Sequence, residues 1–213
     1  MENKIGILIV ITGASGAGKD SVMDGVLGNP QIQKLNLKRI VTCADRSPRP
    51  GEIDGVQYHF ITREKLQEMS KNEELVEPIM HTGSSGKATS KSEIERLLNG
   101  ENLVWRIEPC RAADVASGSF YKRLFPENAE SLQAHTIVLS IVAPRLEVEA
   151  RRKSRDQDKY DPAEYETRDA QERPDLEILE KYAIPIQNLE GKLDEAIDTA
   201  VKSVLKFITI PNF

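Results

Sequence analysis

Residues 5–19, I-G-I-L-I-V-I-T-G-A-S-G-A-G-K, constrain this chain more than any other stretch. Ile5–Ile11 is a nearly continuous Ile/Leu/Val run with no alternation of apolar and polar positions, the pattern of a parallel strand buried on both faces. A glycine-rich turn follows, with Gly13, Gly18 and Lys19 in the spacing G-x-x-x-x-G-K, and Asp20–Leu27 then reads as a helix. In such a strand–turn–helix the backbone N–H groups of Gly13, Ala14, Ser15, Gly16, Ala17 and Gly18 can converge on a polyphosphate, helped by the positive end of the helix dipole. Lys19 would neutralise the β- and γ-phosphates. The pattern asks for Ser or Thr after the lysine, to reach a magnesium ion; this chain has Asp20, then Ser21. A carboxylate is a hard oxygen ligand, so Asp20 is expected to hold Mg²⁺ directly or through water, while Ser21 can turn its hydroxyl toward the phosphates.

The strand candidates after the first are Arg39–Cys43, Val56–Ile61, Leu103–Glu108, Thr136–Val142 and Tyr182–Ile186. Helical stretches fall between them, Arg63–Lys71 and Ser92–Leu98 among them, the latter with a capping box from Ser90 to Glu93. Leu193, Ile197, Ala200, Val201, Val204 and Leu205 recur at helical spacing, so the closing helix packs one face on the sheet. The alternation of β and α segments implies an α/β fold: a parallel-sheet core flanked by helices. Two regions break the rhythm. Residues 45–90 carry turn signals and short strands, as an inserted small sheet would. Residues 151–168, R-R-K-S-R-D-Q-D-K-Y-D-P-A-E-Y-E-T-R, are densely charged with little to bury, as in a mobile flap. A net charge of −5 argues against tracking along nucleic acid. The apolar opening run is too short to cross a bilayer. Cys43 and Cys110, the two cysteines, form no metal-spaced pair and fit a reducing cytoplasm.

The second motif is D-R-S-P-R-P-G-E-I-D-G-V-Q-Y-H-F, residues 45–60. Pro48 and Pro50 stiffen a loop that presents Arg46 and Arg49, two guanidinium forks suited to a phosphate monoester, and Tyr58 can add a phenolic donor. This run resembles the acceptor-loop signature of guanylate kinases. The similarity extends over nearly the whole chain: the glycine-rich loop, "ELVEP", "TSKSEIERLL", the strand "TIVLSIVAP" with a flap behind it, and the closing helix. The resemblance implies one domain over residues 1–213, with a nucleotide core (1–38, 96–150, 169–213), an acceptor-binding insert (39–95) and a lid (151–168). It implies phosphoryl transfer from ATP, with Mg²⁺, to GMP, in a monomer or homodimer without nucleic-acid or membrane partners.

Carried over residue by residue, the resemblance assigns Arg46, Arg49 and Tyr58 to the acceptor phosphate, with a hydroxyl from Thr42. Glu77 would accept from the N1–H and amino group of guanine, and Thr89 would hydrogen-bond the base. Lys87-Ala88 stand where the family has Tyr-Gly, so Lys87 is expected to replace a phosphate-binding tyrosine. Arg106-Ile107-Glu108 stand in place of Asp-x-Asp, leaving Glu108 as a base-reading acid. Arg152 and Arg155 in the flap, with Arg168 beyond it, resemble the arginines that meet the transferring phosphoryl group, and with Lys19 they form the expected catalytic set. Two further readings stay open: a kinase of the same fold acting on another acceptor, such as ribose 1,5-bisphosphate, and a related binding module without catalysis.

Overall fold

A computed structural model of the chain describes residues 5–82 and 85–209. The chain forms two compact units, Arg39–Glu101 with the start of the chain, and Ile7–Lys38 with Asn102 onward.

In chain order the elements begin with β1 (Leu8–Thr12), α1 (Lys19–Gly28), α2 (Pro30–Gln33) and β2 (Lys38–Arg39). The inserted unit holds β3 (Cys43–Ala44), β4 (His59–Phe60), α3 (Arg63–Lys71), β5 (Met80–Thr82), β6 (Ser85–Ala88) and α4 (Lys91–Glu95). The chain continues through β7 (Leu103–Arg106), α5 (Pro109–Ala116), α6 (Ser119–Leu124), α7 (Ala129–Ala134) and β8 (Thr136–Val142). It closes with α8 (Arg145–Asp156), α9 (Pro162–Tyr182), β9 (Ile184–Gln187) and α10 (Leu193–Ile208).

The larger sheet has the order β2-β7-β1-β8-β9. Leu8 lies opposite both Leu103 and Thr136, and Leu139 opposite Ile184, all in parallel register. β1 is therefore a central strand, and all five of its residues are buried, which is why its sequence shows no alternation. Helix α10 turns Ala196, Ala200, Val201 and Val204 into the core that Ile9, Ile11, Val22, Val26, Leu139 and Ile141 also share. Each of the Val, Leu and Ile side chains contributes about 1.5–3 kcal/mol by leaving water. At Gly25 a Cβ would lie 2.2 Å from Ile197 Cδ1, so the approach of α10 to α1 depends on a glycine in mid-helix.

The inserted unit carries a four-stranded sheet of order β4-β3-β6-β5, with β3 and β4 parallel and the other pairs antiparallel. One buried cluster there joins Cys43, Leu66, Leu75 and Ala88, with Ile61, Met69 and Ile79 packed against them, and Val41, Ala44, Val76, Ile94 and Leu97 are buried as well. Glu93 is buried and satisfied, accepting from Val41 N–H at 3.0 Å and Arg96 Nη1 at 2.7 Å.

Several elements differ from the sequence reading. The Arg39–Cys43 stretch splits into the ends of β2 and β3, because Val41 N–H goes to the Glu93 side chain instead of a ladder. For the same reason Glu93 closes no capping box; Ser90 caps α4 without a side-chain bond to its backbone and pairs with Ser92 Oγ at 2.8 Å. Val56–Ile61 shortens to β4, and Tyr182 ends α9 while β9 starts at Ile184. Residues 151–168 are helical: the end of α8, a 3₁₀ turn at Gln157–Lys159, and the start of α9, capped by Asp161. They cluster with the larger unit. In the run G-S-S-G at 83–86, Gly83 and Ser84 lie outside the described residues.

Candidate active site

The turn between β1 and α1 has the backbone its glycines permit. Gly13, Gly16 and Gly18 have φ values of 135°, 85° and 93°. A Cβ at Gly13 would meet the Ile141 carbonyl oxygen at 2.2 Å, and one at Gly18 would meet Asn188 Nδ2 at 2.2 Å. Asn188 in turn donates to the Ala17 carbonyl at 2.8 Å, clamping the loop from the far end of the sheet. Arg152 supports it from below: 1% exposed, it donates Nε to Ser15 O at 2.9 Å and both terminal nitrogens to Asp169 at 2.8 and 2.6 Å.

Lys19 is buried and folds back over the turn, donating to Gly13 O at 2.7 Å and Ala14 O at 3.1 Å. Burial pushes its ammonium pKa down; Glu108 and Glu172 oppose that shift, and the neighbouring charges of Arg106 and Arg168 add to it. A cleft of about 390 Å³ opens in front of the loop, lined by Ser15, Gly16, Gly18, Lys19, Asp20 and Ser21 and by Arg106, Glu108, Arg151, Arg155 and Arg168. Five cations face two carboxylates there, a surplus suited to a polyanion.

Both carboxylates are committed. Arg168 donates to Glu108 at 3.1 Å and to Glu172 at 2.9 Å. Asp20, expected to face a magnesium ion, carries Arg106 instead, at 2.6 Å from Nε to Oδ1 and 3.4 Å from Nη2 to Oδ2. Among the described residues no group of three His, Cys, Asp or Glu could hold a metal ion. The cleft's donor set holds two carboxylates, Asp20 and Glu108. It suits a metal that arrives on a polyphosphate and keeps water for most of its other ligands.

Of the arginines expected to meet the phosphoryl group, Arg155 and Arg168 line the cleft and Arg152 does not. Its place on the lining is taken by Arg151, which the sequence did not single out and which also bonds Asn188 O at 3.1 Å and Glu147 at 3.0 Å. Arg155 is itself held by Asp156, Nε to Oδ1 at 2.8 Å, and by the Tyr165 hydroxyl.

The inserted unit gathers the residues expected to bind the acceptor into two groups. Arg46 forks onto Glu52 at 2.6 and 2.7 Å, and the Arg49 N–H donates to the same carboxylate at 2.7 Å. That pairing holds the Glu52 carboxyl down to about 2. The Tyr58 ring lies against two cations, with Arg46 Cζ 5.3 Å and Lys87 Nζ 4.6 Å from its centroid, while Lys87 donates to the Tyr58 hydroxyl at 3.0 Å. Lys87 thus stands beside Arg46 through the shared ring. In the second group Glu77 accepts from Thr89 N–H at 2.6 Å, and Thr89 Oγ1 lies 3.4 Å from Thr42 Oγ1. The β3–β6 pairing, Cys43 opposite Ala88, brings Thr42 and Thr89 together. Glu108 belongs to the larger unit and sits at the N-terminus of α5, beside the glycine-rich loop's cleft.

A parallel α/β core with a glycine-rich turn after its central strand, a lysine folded over that turn and a cation-lined cleft in front of it defines a phosphate-binding-loop protein. Comparison narrows the class. The family model described as guanylate kinase matches residues 6–207, so the chain belongs to the guanylate kinase family. The guanylate kinase of Halalkalibacterium halodurans is 27% identical over 194 residues, covering 91% of this chain and 85% of that protein. Those of Mycoplasma mycoides and Clostridium perfringens strain SM101 are 38% and 30% identical over 53% and 64% of this chain. The matches span only 37% and 62% of those two relatives' lengths. A guanylate kinase structure from Anaplasma phagocytophilum superposes with a TM-score of 0.58 at 17% identity, covering 99% of this chain and 90% of that one, and shows the same fold.

Proposed function

We propose that the chain transfers the γ-phosphoryl group of ATP, taken as its magnesium complex, to GMP, giving ADP and GDP. The observation that carries this reading is Lys19 folded over the glycine-rich turn in a cleft also lined by Arg106, Arg151, Arg155 and Arg168. In this reading the N–H groups of the turn cradle the donor phosphates, and Lys19 moves its ammonium from the Gly13 and Ala14 carbonyls onto them. Magnesium on the donor lowers the charge of the phosphates; the rest falls to this chain's residues. The bond between the γ-phosphorus and its bridging oxygen breaks toward ADP as one forms to a GMP phosphate oxygen, with no covalent enzyme intermediate. Arg155 and Arg168 stabilise charge on the moving group, with Arg151 beside them. Arg152 acts at one remove, by fixing the turn through Ser15 O.

Arg46, Arg49, Tyr58 and Lys87 hold the acceptor phosphate, with Thr42 assisting. Glu77 accepts from the adjacent N1–H and amino donors of guanine, and Thr89 adds a hydroxyl. Adenine lacks that paired donor edge and would not supply those two hydrogen bonds to the Glu77 carboxylate, which disfavours it. A cytoplasmic location goes with two cysteines that are both free thiols. Steady-state assays with ATP against GMP, dGMP, AMP, UMP and ribose 1,5-bisphosphate test the reading. GMP is expected to give the highest kcat/KM by at least about a hundredfold over AMP, given the cost of leaving polar groups unpaired; equal turnover of AMP, or turnover confined to the bisphosphate, would overturn the acceptor assignment.

A further inference from the structure

Asp20 and Arg106 are 86 residues apart in sequence and form the shortest ion pair at the mouth of the cleft. We propose that Asp20 is the anchor of a phosphate-binding arginine, Arg106, and not a ligand of the metal. The inference rests on the reading of the turn as a polyphosphate site.

The pairing uses the Nε–Nη2 edge of the guanidinium, whose remaining N–H donors are available to an anion. Arg106 lines the same cleft as Lys19 and is close enough for its charge to act on the lysine. Two cations brought together in this way repel each other until an anion arrives, and the Asp20 carboxylate offsets that repulsion in the empty cleft. The cleft repeats the device where Glu108 holds Arg168. The Arg106 and Asp20 side chains are 38% and 66% exposed, and ion pairs that open to water add little to folding stability. The fold therefore gives the pair little reason to exist, and the ligand gives it one. A carboxylate already engaged at 2.6 Å by a guanidinium is a poor partner for a dication, which would have to sit beside that positive charge.

Equilibrium binding of ATP decides the matter, measured with excess Mg²⁺ and again with EDTA, on the wild type, Arg106→Ala, Arg106→Lys, Asp20→Asn and the double variant. Loss of one charge-assisted phosphate contact should weaken both forms of ATP by a similar factor, about tenfold to a hundredfold in Arg106→Ala. Arg106→Lys should recover part of the loss. Asp20→Asn should weaken ATP in the wild-type background, where it frees Arg106, and strengthen it in Arg106→Ala, where only a bare negative charge is left to remove. Melting temperatures should stay at the wild-type value throughout. Asp20→Asn weakening only the magnesium complex would make Asp20 a metal ligand and overturn the proposal, as would unchanged ATP binding in Arg106→Ala. If the wild type failed to bind ATP, the polyphosphate reading would fall first; intact wild-type binding with an unaffected Arg106→Ala removes the anchor role alone.

Discussion

The two units hold their clustered cations in different ways. In the larger unit the backbone does the holding. Lys19 is fixed by the Gly13 and Ala14 carbonyls, and the turn itself by Asn188 and Arg152, against a core of well over a dozen buried apolar residues. In the inserted unit a side chain does it: Arg46 is aimed by Glu52 and flanked by Tyr58. Backbone placement tolerates no change at the positions that set it. Side-chain placement can be altered one contact at a time.

The largest effect should come from the backbone side. Gly13→Ala forces a Cβ to 2.2 Å from the Ile141 carbonyl at a φ of 135°, so β8 or the turn must move. Chemical denaturation should show a loss of about 3 kcal/mol or more, together with loss of ATP binding; a stable variant that binds ATP would refute backbone control of the loop. Arg46→Ala comes next. It should raise the acceptor KM about tenfold to a hundredfold while leaving ATP binding in place, since one charge-assisted contact is lost in a separate unit. Equal damage to ATP binding would erase the distinction between the two units.

Glu52→Gln should have the smallest effect, a rise of a few-fold in acceptor KM, because Arg46 keeps its charge and its packing on Tyr58 and loses only its anchor. The pH dependence of this contact has a definite sign. The Glu52 carboxyl is depressed to about 2, so the pairing is intact above its ordinary carboxylate value and is lost only as pH falls through about 2. Acceptor KM measured from pH 8 to pH 5 should therefore follow the phosphate's own titration and show no added step from Glu52. An extra step that disappears in Glu52→Gln would mean that the pair opens near neutral pH.

Much of the larger unit was legible because its determinants are local. A strand buried on both faces writes itself as an apolar run, and a loop needing positive φ writes itself as glycines at fixed spacing. The acceptor residues were legible as a motif, but Glu52 inside that motif gave no sign that it would hold Arg46. The charged stretch 151–168 was less legible for a related reason. Composition reports how little a segment can bury, yet α8 carries the buried Arg152 and α9 packs along α5. Arg151, Arg152 and Arg155 are alike in sequence. Residues 151 and 155 fall one helical turn apart on one face and line the cleft, while Arg152 falls on the face beneath the loop. Only the packing of α8 chooses between them.

Sequence by itself determined the parallel core, the glycine-rich turn, the lysine at its head and the Arg-Pro-Gly-Glu acceptor loop, because each depends on residues close together in the chain. Tertiary structure alone decided what the unusual residues do. Asp20 and Arg106 read separately as a lost hydroxyl and a misplaced charge. Side by side at the ends of α1 and β7 they are a single ion pair, since electrostatics acts through space and the chain between them is silent about distance.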